Sequence, residues 1–251
     1  MNDLSGRTTI VVGASRGLGH GIATAFAEAG AHVVAVSRTA AAFPEQANRP
    51  GSIQPEIADA GDATVPARLL DRYRPHAIIL VAGATPHMRP LHQQTWETFS
   101  VNWNTDVKAT FHWLREALLT PLRPGSRVVI FSSGVALNPN GSPLSGGYAG
   151  AKATQRLIAG YAQDEASRVG LDITFTTVFP YFSPETGVGR PAVQAYATRA
   201  GQPVDDYLQQ LDYSLVTPQS AGTALVELVQ ADAATVAPAY RLSGAGLHKL
   251  P

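Results

Sequence analysis

The chain has 251 residues and a formal net charge of zero, so no basic or acidic excess points to nucleic acid or an anionic membrane as a partner. It contains no cysteine, which excludes disulfides, thiolate metal sites and a cysteine nucleophile. Its seven histidines form no H-x-H or H-E-x-x-H pattern and no apolar run is long enough to span a membrane, so neither a metal centre nor a membrane anchor is expected.

Taken in order, the first residues, Met1 to Arg7, lack the basic-then-apolar order of a signal peptide, and the protein reads as soluble and cytoplasmic. Thr8 to Val12 is a short β-branched run, a buried strand. Gly13-Ala14-Ser15-Arg16-Gly17-Leu18-Gly19 follows at once, and His20 to Ala29 has helical periodicity ending at Gly30. Strand, glycine-rich turn and helix form the context of a dinucleotide-phosphate site, where free helix N–H groups and the positive dipole end meet the pyrophosphate. The spacing here is G-x-x-x-G-x-G. The same residues also fit G-x-S-x-G, a hydrolase elbow with Ser15 as nucleophile and His248 as base. That reading lacks the earlier strand and loop an oxyanion hole needs, since only twelve residues precede Gly13.

His32 to Val36 is the second strand, with Ser37 and Arg38 at its carboxyl end. A carboxylate there would bind a ribose 2′-hydroxyl; a guanidinium instead pairs with a 2′-phosphate, and Arg16 can reach it from the turn. The pattern therefore predicts NADP(H) over NAD(H). Residues 40–61 are broken by Pro44, Pro50, Gly51 and Pro55, with an edge strand at Ser52 to Ile57. Asp62 or Thr64 caps a helix from Val65 to Tyr73. Ala77 to Val81 is the fourth strand, and the small residues Ala82-Gly83-Ala84 after it leave room for a cofactor.

Thr95 to Leu119 reads as one long helix around Asn102-Trp103-Asn104. Arg127 to Phe131 is the fifth strand, ending in Ser132-Ser133, and residues 138–147 form a turn-rich loop before Tyr148. Tyr148 and Lys152 are one helical turn apart on one face. A phenol of pKa about 10 is a poor acid or base at neutral pH, and a nearby ammonium favours its ionised form. Asp172 to Phe179 is the sixth strand, Pro218 to Gln230 an amphipathic helix, and Tyr240 to Gly244 a last strand and turn. The glycine turn, Arg38, Ser133 and Tyr148 all follow strands, the end at which parallel α/β sheets bind ligands.

Together, Gly13, Gly17, Gly19, Asp62, Ala82-Gly83, Asn104, Ser133, Tyr148 and Lys152 resemble the short-chain dehydrogenase/reductase family over essentially the whole chain. The resemblance implies a single domain, residues 1–251, with a Rossmann-type doubly wound parallel sheet and a substrate lobe at about 181–215. It implies an oxidoreductase that interconverts a carbonyl and a secondary alcohol. Tyr148 would be the general acid/base, Lys152 its modulator and ribose ligand, Ser133 the contact to the substrate oxygen, and Asn104 the holder of a relay water. Asp62 and Ala63 would also bind the cofactor, and Pro180 would lie near its nicotinamide. The spacing from serine to Tyr148 is two residues longer than the family's, which leaves Ser132 open beside Ser133.

The chain departs from the family at three places. Val12 stands for threonine, Leu80-Val81 for Asn-Asn, and Pro180-Tyr181 for Pro-Gly, with Ser183 or Thr186 in place of the downstream threonine. The first two changes suggest a polar contact replaced by packing. The lobe carries Phe182, Val188, Val193, Tyr196, Tyr207, Leu208 and Tyr213, which implies a largely apolar substrate pocket. The family pairs the helices around Asn104 and after Tyr148 between subunits, which implies a homodimer or homotetramer. A non-catalytic NADP(H) sensor of the same fold is the alternative; an epimerase or dehydratase needs a longer chain for its sugar-nucleotide lobe.

Overall fold

The computed structural model describes residues 3–43, 50–120, 122–181, 183–184, 186–210 and 215–251. The expected break at Pro44 and the lobe residues Phe182 and Tyr213 lie outside these. Strands β1 (Thr8–Val12), β2 (His32–Ser37), β4 (Ala77–Leu80) and β5 (Ser126–Phe131) are runs with little polar interruption. They read that way because helices cover both faces of a parallel sheet. With β3 (Ser52–Ile57), β6 (Ile173–Pro180), β7 (Ala239–Ser243) and β8 (Gly246–Lys249) they form one sheet in the order β3-β2-β1-β4-β5-β6-β7-β8. Only the β7–β8 pair is antiparallel. β8 is absent from the sequence expectation because four residues after a tight turn carry little periodicity.

On one face, α1 (Gly17–Glu28) packs against α8 (Pro218–Gln230), and Phe26, Val33, Ile79 and Leu225 build the core there. On the other face lie α2 (Thr64–Tyr73), α4 (Lys108–Leu119) and α5 (Tyr148–Arg168), around Ile10, Leu69, Ile78 and Trp113. Truncating a buried aromatic such as Phe26 or Trp113 costs about 3–5 kcal/mol. The lobe holds α6 (Gly189–Ala200) and α7 (Val204–Gln209).

The long helix expected from Thr95 to Leu119 is interrupted. α3 (Trp96–Phe99) begins at a Thr95 capping box with Thr98, and Trp103–Val107 is a π-helical turn before α4. The extra residue of a π turn rotates everything before it relative to an α-helical register. That rotation decides which side chain meets Lys152.

Strand order reverses between β1 and β4, which leaves a crevice at their carboxyl ends. Val12 and Leu80 are aligned across β1 and β4 and belong to the same α2/α4/α5 core, in keeping with packing at these positions, whereas Val81 rests on the α1/α8 core. Main-chain bonds also hold the two strand ends, Val81 N–H and Ala82 N–H both donating to the Val12 carbonyl at 2.9 and 2.8 Å.

Candidate active site

A cavity of about 990 Å³ runs along the carboxyl ends of the strands, from the turn after β1 to the lobe. Gly13, Ser15, Arg16, Gly17, Leu18 and Gly19 line its floor at the start of α1. No side chain caps that helix, so its first amides remain available to a phosphate. Gly17 has φ +56°, and a Cβ added there would point toward Thr186, 3.8 Å away across the cradle. The bare turn, the uncapped helix and the size of the cavity fit a dinucleotide. Ser37 and Arg38 line the same cavity at the end of β2. Arg16 and Arg38 are exposed, and neither is ion-paired among the described residues.

Two expected cofactor residues lie at the margin of the cavity: Asp62 and Ala63, with Lys108 and His112, border a recess that adjoins it and shares Asp59 and Gly61 with it. Asp62 is spent locally: Thr64 N–H and the Thr64 hydroxyl both donate to its Oδ1, at 2.9 and 2.8 Å, and hold its carboxyl below the usual range. Asp59 and Ala60, nearer the end of β3, line the cavity instead.

At the other end, Ser132, Ser133, Tyr148, Lys152 and Pro180 line the cavity together. The Ser132 hydroxyl is buried and donates to the Lys152 carbonyl at 2.7 Å, which ties β5 to α5. The half-buried Ser133 only accepts a long bond from Val135 N–H, 3.4 Å, so its hydroxyl is the freer of the two. Tyr148 sits at the first position of α5 with the Lys152 ammonium 5.6 Å from its ring centre. The Tyr148 hydroxyl makes no protein hydrogen bond among the described residues.

Asn104 is not part of this group. It is exposed, and its amide donates to the Ser100 hydroxyl at 3.2 Å. The π turn brings Asp106 inward in its place. Asp106 is fully buried, and its Oδ2 lies 3.0 Å from Lys152 Nζ. Its Oδ1 accepts from Ala84 N–H at 2.8 Å, and the buried Asn102 amide donates to both oxygens at 3.3 Å and to the Ala84 carbonyl at 2.7 Å. Gly83 makes this possible: a Cβ on it would lie 2.8 Å from Asp106 Oδ2. Burial works against the charge on Lys152. The attraction of Asp106, then of Tyr148, and the hydrogen bond to Asp106 outweigh it, and hold the ammonium above the ordinary lysine range.

The lobe reaches across this cavity. The Tyr196 hydroxyl lies 2.6 Å from Ser142 Oγ and accepts from Leu144 N–H at 3.2 Å, pinning α6 to the loop before Tyr148. Val193 is a core residue, whereas Val188, Tyr196 and Tyr207 line the cavity. The Thr186 hydroxyl donates to the Ser183 carbonyl at 2.8 Å and accepts from Gly189 N–H at 3.0 Å at the start of α6. The Ser183 hydroxyl is buried with no partner among the described residues. The hydrolase pairing fails on topology. Ser15 follows β1 and His248 lies on β8, with four strands between them. At a strand spacing of about 4.8 Å they stand about 24 Å apart.

Among the described residues no helix is long and apolar enough to cross a membrane. The sequence model of the short chain dehydrogenase family matches residues 7–196. A hydroxynaphthalene reductase-like protein of Metarhizium robertsii is 32% identical over 193 residues, covering 70% of this chain and 68% of its own. The L-xylulose reductase of Homo sapiens is 32% identical over 106 residues, 42% of this chain and 43% of its own. Among solved structures, a putative NAD(P)-dependent gluconate 5-dehydrogenase of Beutenbergia cavernae, with bound NADP at low occupancy, superposes with a TM-score of 0.76 at 23% identity. That superposition covers 97% of both chains. A short chain dehydrogenase of Mycobacterium avium superposes with a TM-score of 0.75 at 20% identity, covering 100% of this chain and 86% of its own. With a match over most of its length, a parallel sheet in the same arrangement and a cradle that fits a dinucleotide, this chain is a member of the short chain dehydrogenase family of oxidoreductases.

Proposed function

We propose that the protein is an NADP(H)-dependent oxidoreductase that reduces a ketone or aldehyde, or oxidises the corresponding alcohol, with Tyr148 as general acid/base. The observation that carries this reading is the Tyr148 hydroxyl, without a protein partner among the described residues, in the same cavity as the glycine turn and beside a buried, charged Lys152. When bound along the glycine turn, NADPH would supply the hydride that reduces the carbonyl carbon. Tyr148 donates its hydroxyl proton to the oxygen that gains charge, and the Ser133 hydroxyl donates a hydrogen bond to the same oxygen. Lys152 presents positive charge to the phenol side, and Asp106 fixes the ammonium there. Arg38, with Arg16, receives the 2′-phosphate as a charge-assisted pair. The lobe of α6 and α7, whose Tyr196 and Tyr207 line the cavity, covers the reacting end and excludes water from it.

The names of two relatives, a hydroxynaphthalene reductase-like protein and an L-xylulose reductase, favour carbonyl reduction as the chemistry. The test is a panel of neutral and acidic ketones and aldehydes, followed by loss of NADPH absorbance. Consumption of at least one carbonyl supports the reading. Binding of NADPH with no carbonyl consumed would favour the sensor reading instead.

A further inference from the structure

Among the described residues, Arg16, Arg38, Asp59, Asp106, Lys152 and Arg241 are the charged side chains that line the cavity. The first three stand after β1, β2 and β3, on the side where the adenosine half of a dinucleotide lies. Asp106 and Lys152 compensate each other at 3.0 Å. Among the described residues Arg241 is left as the charge in this cavity with no counter-charge, and the proposed reaction gives it no task.

Arg241 lies on β7 opposite Phe179 of β6. Its neighbours Tyr240 and Leu242 point into the α1/α8 core, so the alternation of the strand sends Arg241 to the other face. There its Nη1 donates to the Tyr181 hydroxyl at 2.7 Å, with the guanidinium 5.0 Å from that ring's centre. Tyr181 follows β6 directly, and an added Cβ on Gly134, the neighbour of Ser133, would come within 4.0 Å of Tyr181 Cα. Arg241 is thus linked through one residue to the wall that carries Ser133. Its Nε is buried without a partner, and no carboxylate pairs with it among the described residues. The Ser183 hydroxyl, equally without a partner among the described residues, belongs to the same cavity.

A guanidinium that served only stability in such a place would be paired with a carboxylate or a set of carbonyls, because burying part of a charge without a counter-charge is costly. Here one nitrogen is spent on a neutral phenol, which orients the planar fork without neutralising it. Such a fork matches a carboxylate in two parallel hydrogen bonds. We propose that Arg241 anchors a carboxylate of the substrate, so that the enzyme works on oxo acids and the matching hydroxy acids, with Tyr181 as the positioning residue for Arg241. This proposal rests on the carbonyl-reduction reading for its substrate class, though not for the anchor itself.

The test uses the full-length protein with a series of oxo acids of increasing chain length, each paired with its methyl ester, and follows NADPH oxidation. The wild type should prefer the best acid over its ester. Arg241→Met should lower the acid-to-ester ratio of kcat/KM by about tenfold to a hundredfold, the worth of a charge-assisted hydrogen bond. Arg241→Lys, which keeps the charge and loses the fork, should recover part of it. Equal losses for acid and ester would assign Arg241 to bracing Tyr181 and overturn the anchor. Calorimetry of the hydroxy acids on NADP⁺-loaded wild type and Arg241→Met reads the anchor without turnover. Turnover of neutral ketones with no preference for acids would sink this proposal and leave the reductase reading standing. Arg241-dependent binding of hydroxy acids with no carbonyl consumed would do the reverse.

Discussion

Lys152 Nζ and Asp106 Oδ2 lie 3.0 Å apart, and both side chains are almost wholly buried beneath the Tyr148 helix turn. A buried ion pair is not a large source of stability by itself, but removing one partner strands the other charge. Asp106→Ala should therefore destabilise the protein by about 3–5 kcal/mol. Asp106→Asn, which keeps an acceptor for Ala84 N–H, should cost less. Urea unfolding of the three proteins checks this, and an alanine variant as stable as wild type would contradict the pairing.

The same pair sets a pH dependence. Asp106 holds Lys152 above the ordinary lysine range, so the folded state binds this proton more tightly than the unfolded chain. The resulting stabilisation is complete below the unfolded value of about 10.4 and is lost as pH rises through the folded value. Thermal unfolding should show a fall in stability above about pH 10 that is shallower in Asp106→Asn, and identical slopes would argue against it.

Tyr148→Phe removes the proton donor and little volume. Turnover of any substrate found should fall by at least ~10²–10⁴-fold, the range of general acid–base catalysis. NADPH binding, read by quenching of protein fluorescence, should persist, because the phosphate cradle is built from the turn after β1.

Arg38 stands exposed after β2 beside Ser37, with no ion pair among the described residues. Arg38→Asp should weaken NADPH binding and move the preference toward NADH, since a carboxylate repels a 2′-phosphate and accepts a 2′-hydroxyl. Wild-type activity that clearly prefers NADH would count against the assignment.

Phe111 on α4 and Leu157 and Tyr161 on α5 are large apolar side chains exposed on the outer helix faces. We expect these faces to meet those of a second copy, giving a dimer or tetramer. Sedimentation should find an oligomer at micromolar concentration for wild type and a smaller species for Tyr161→Glu. A wild-type monomer would end this expectation.

Much of this site can be read from local patterns. The β-branched run before Gly13, the glycine spacing and the Tyr148–Lys152 turn each lie within a few residues, so periodicity and turn chemistry expose them. The residues that sequence reading misplaced depend on geometry it cannot express. Asn104 and Asp106 are two residues apart, and only the π turn at Trp103–Val107 turns the second inward. Arg241 sits on a late strand with nothing around it in sequence to mark a ligand. Its place beside Tyr181 comes from the β6–β7 pairing, a contact sixty residues long in sequence.

The most direct test is a crystal structure of the protein with NADP⁺ bound. The dinucleotide should run from Arg38 across the turn at Gly13–Gly19, with its nicotinamide ring beside the Tyr148 hydroxyl. A cofactor bound elsewhere, or a ring far from that hydroxyl, would contradict the catalytic role given to Tyr148 and Lys152.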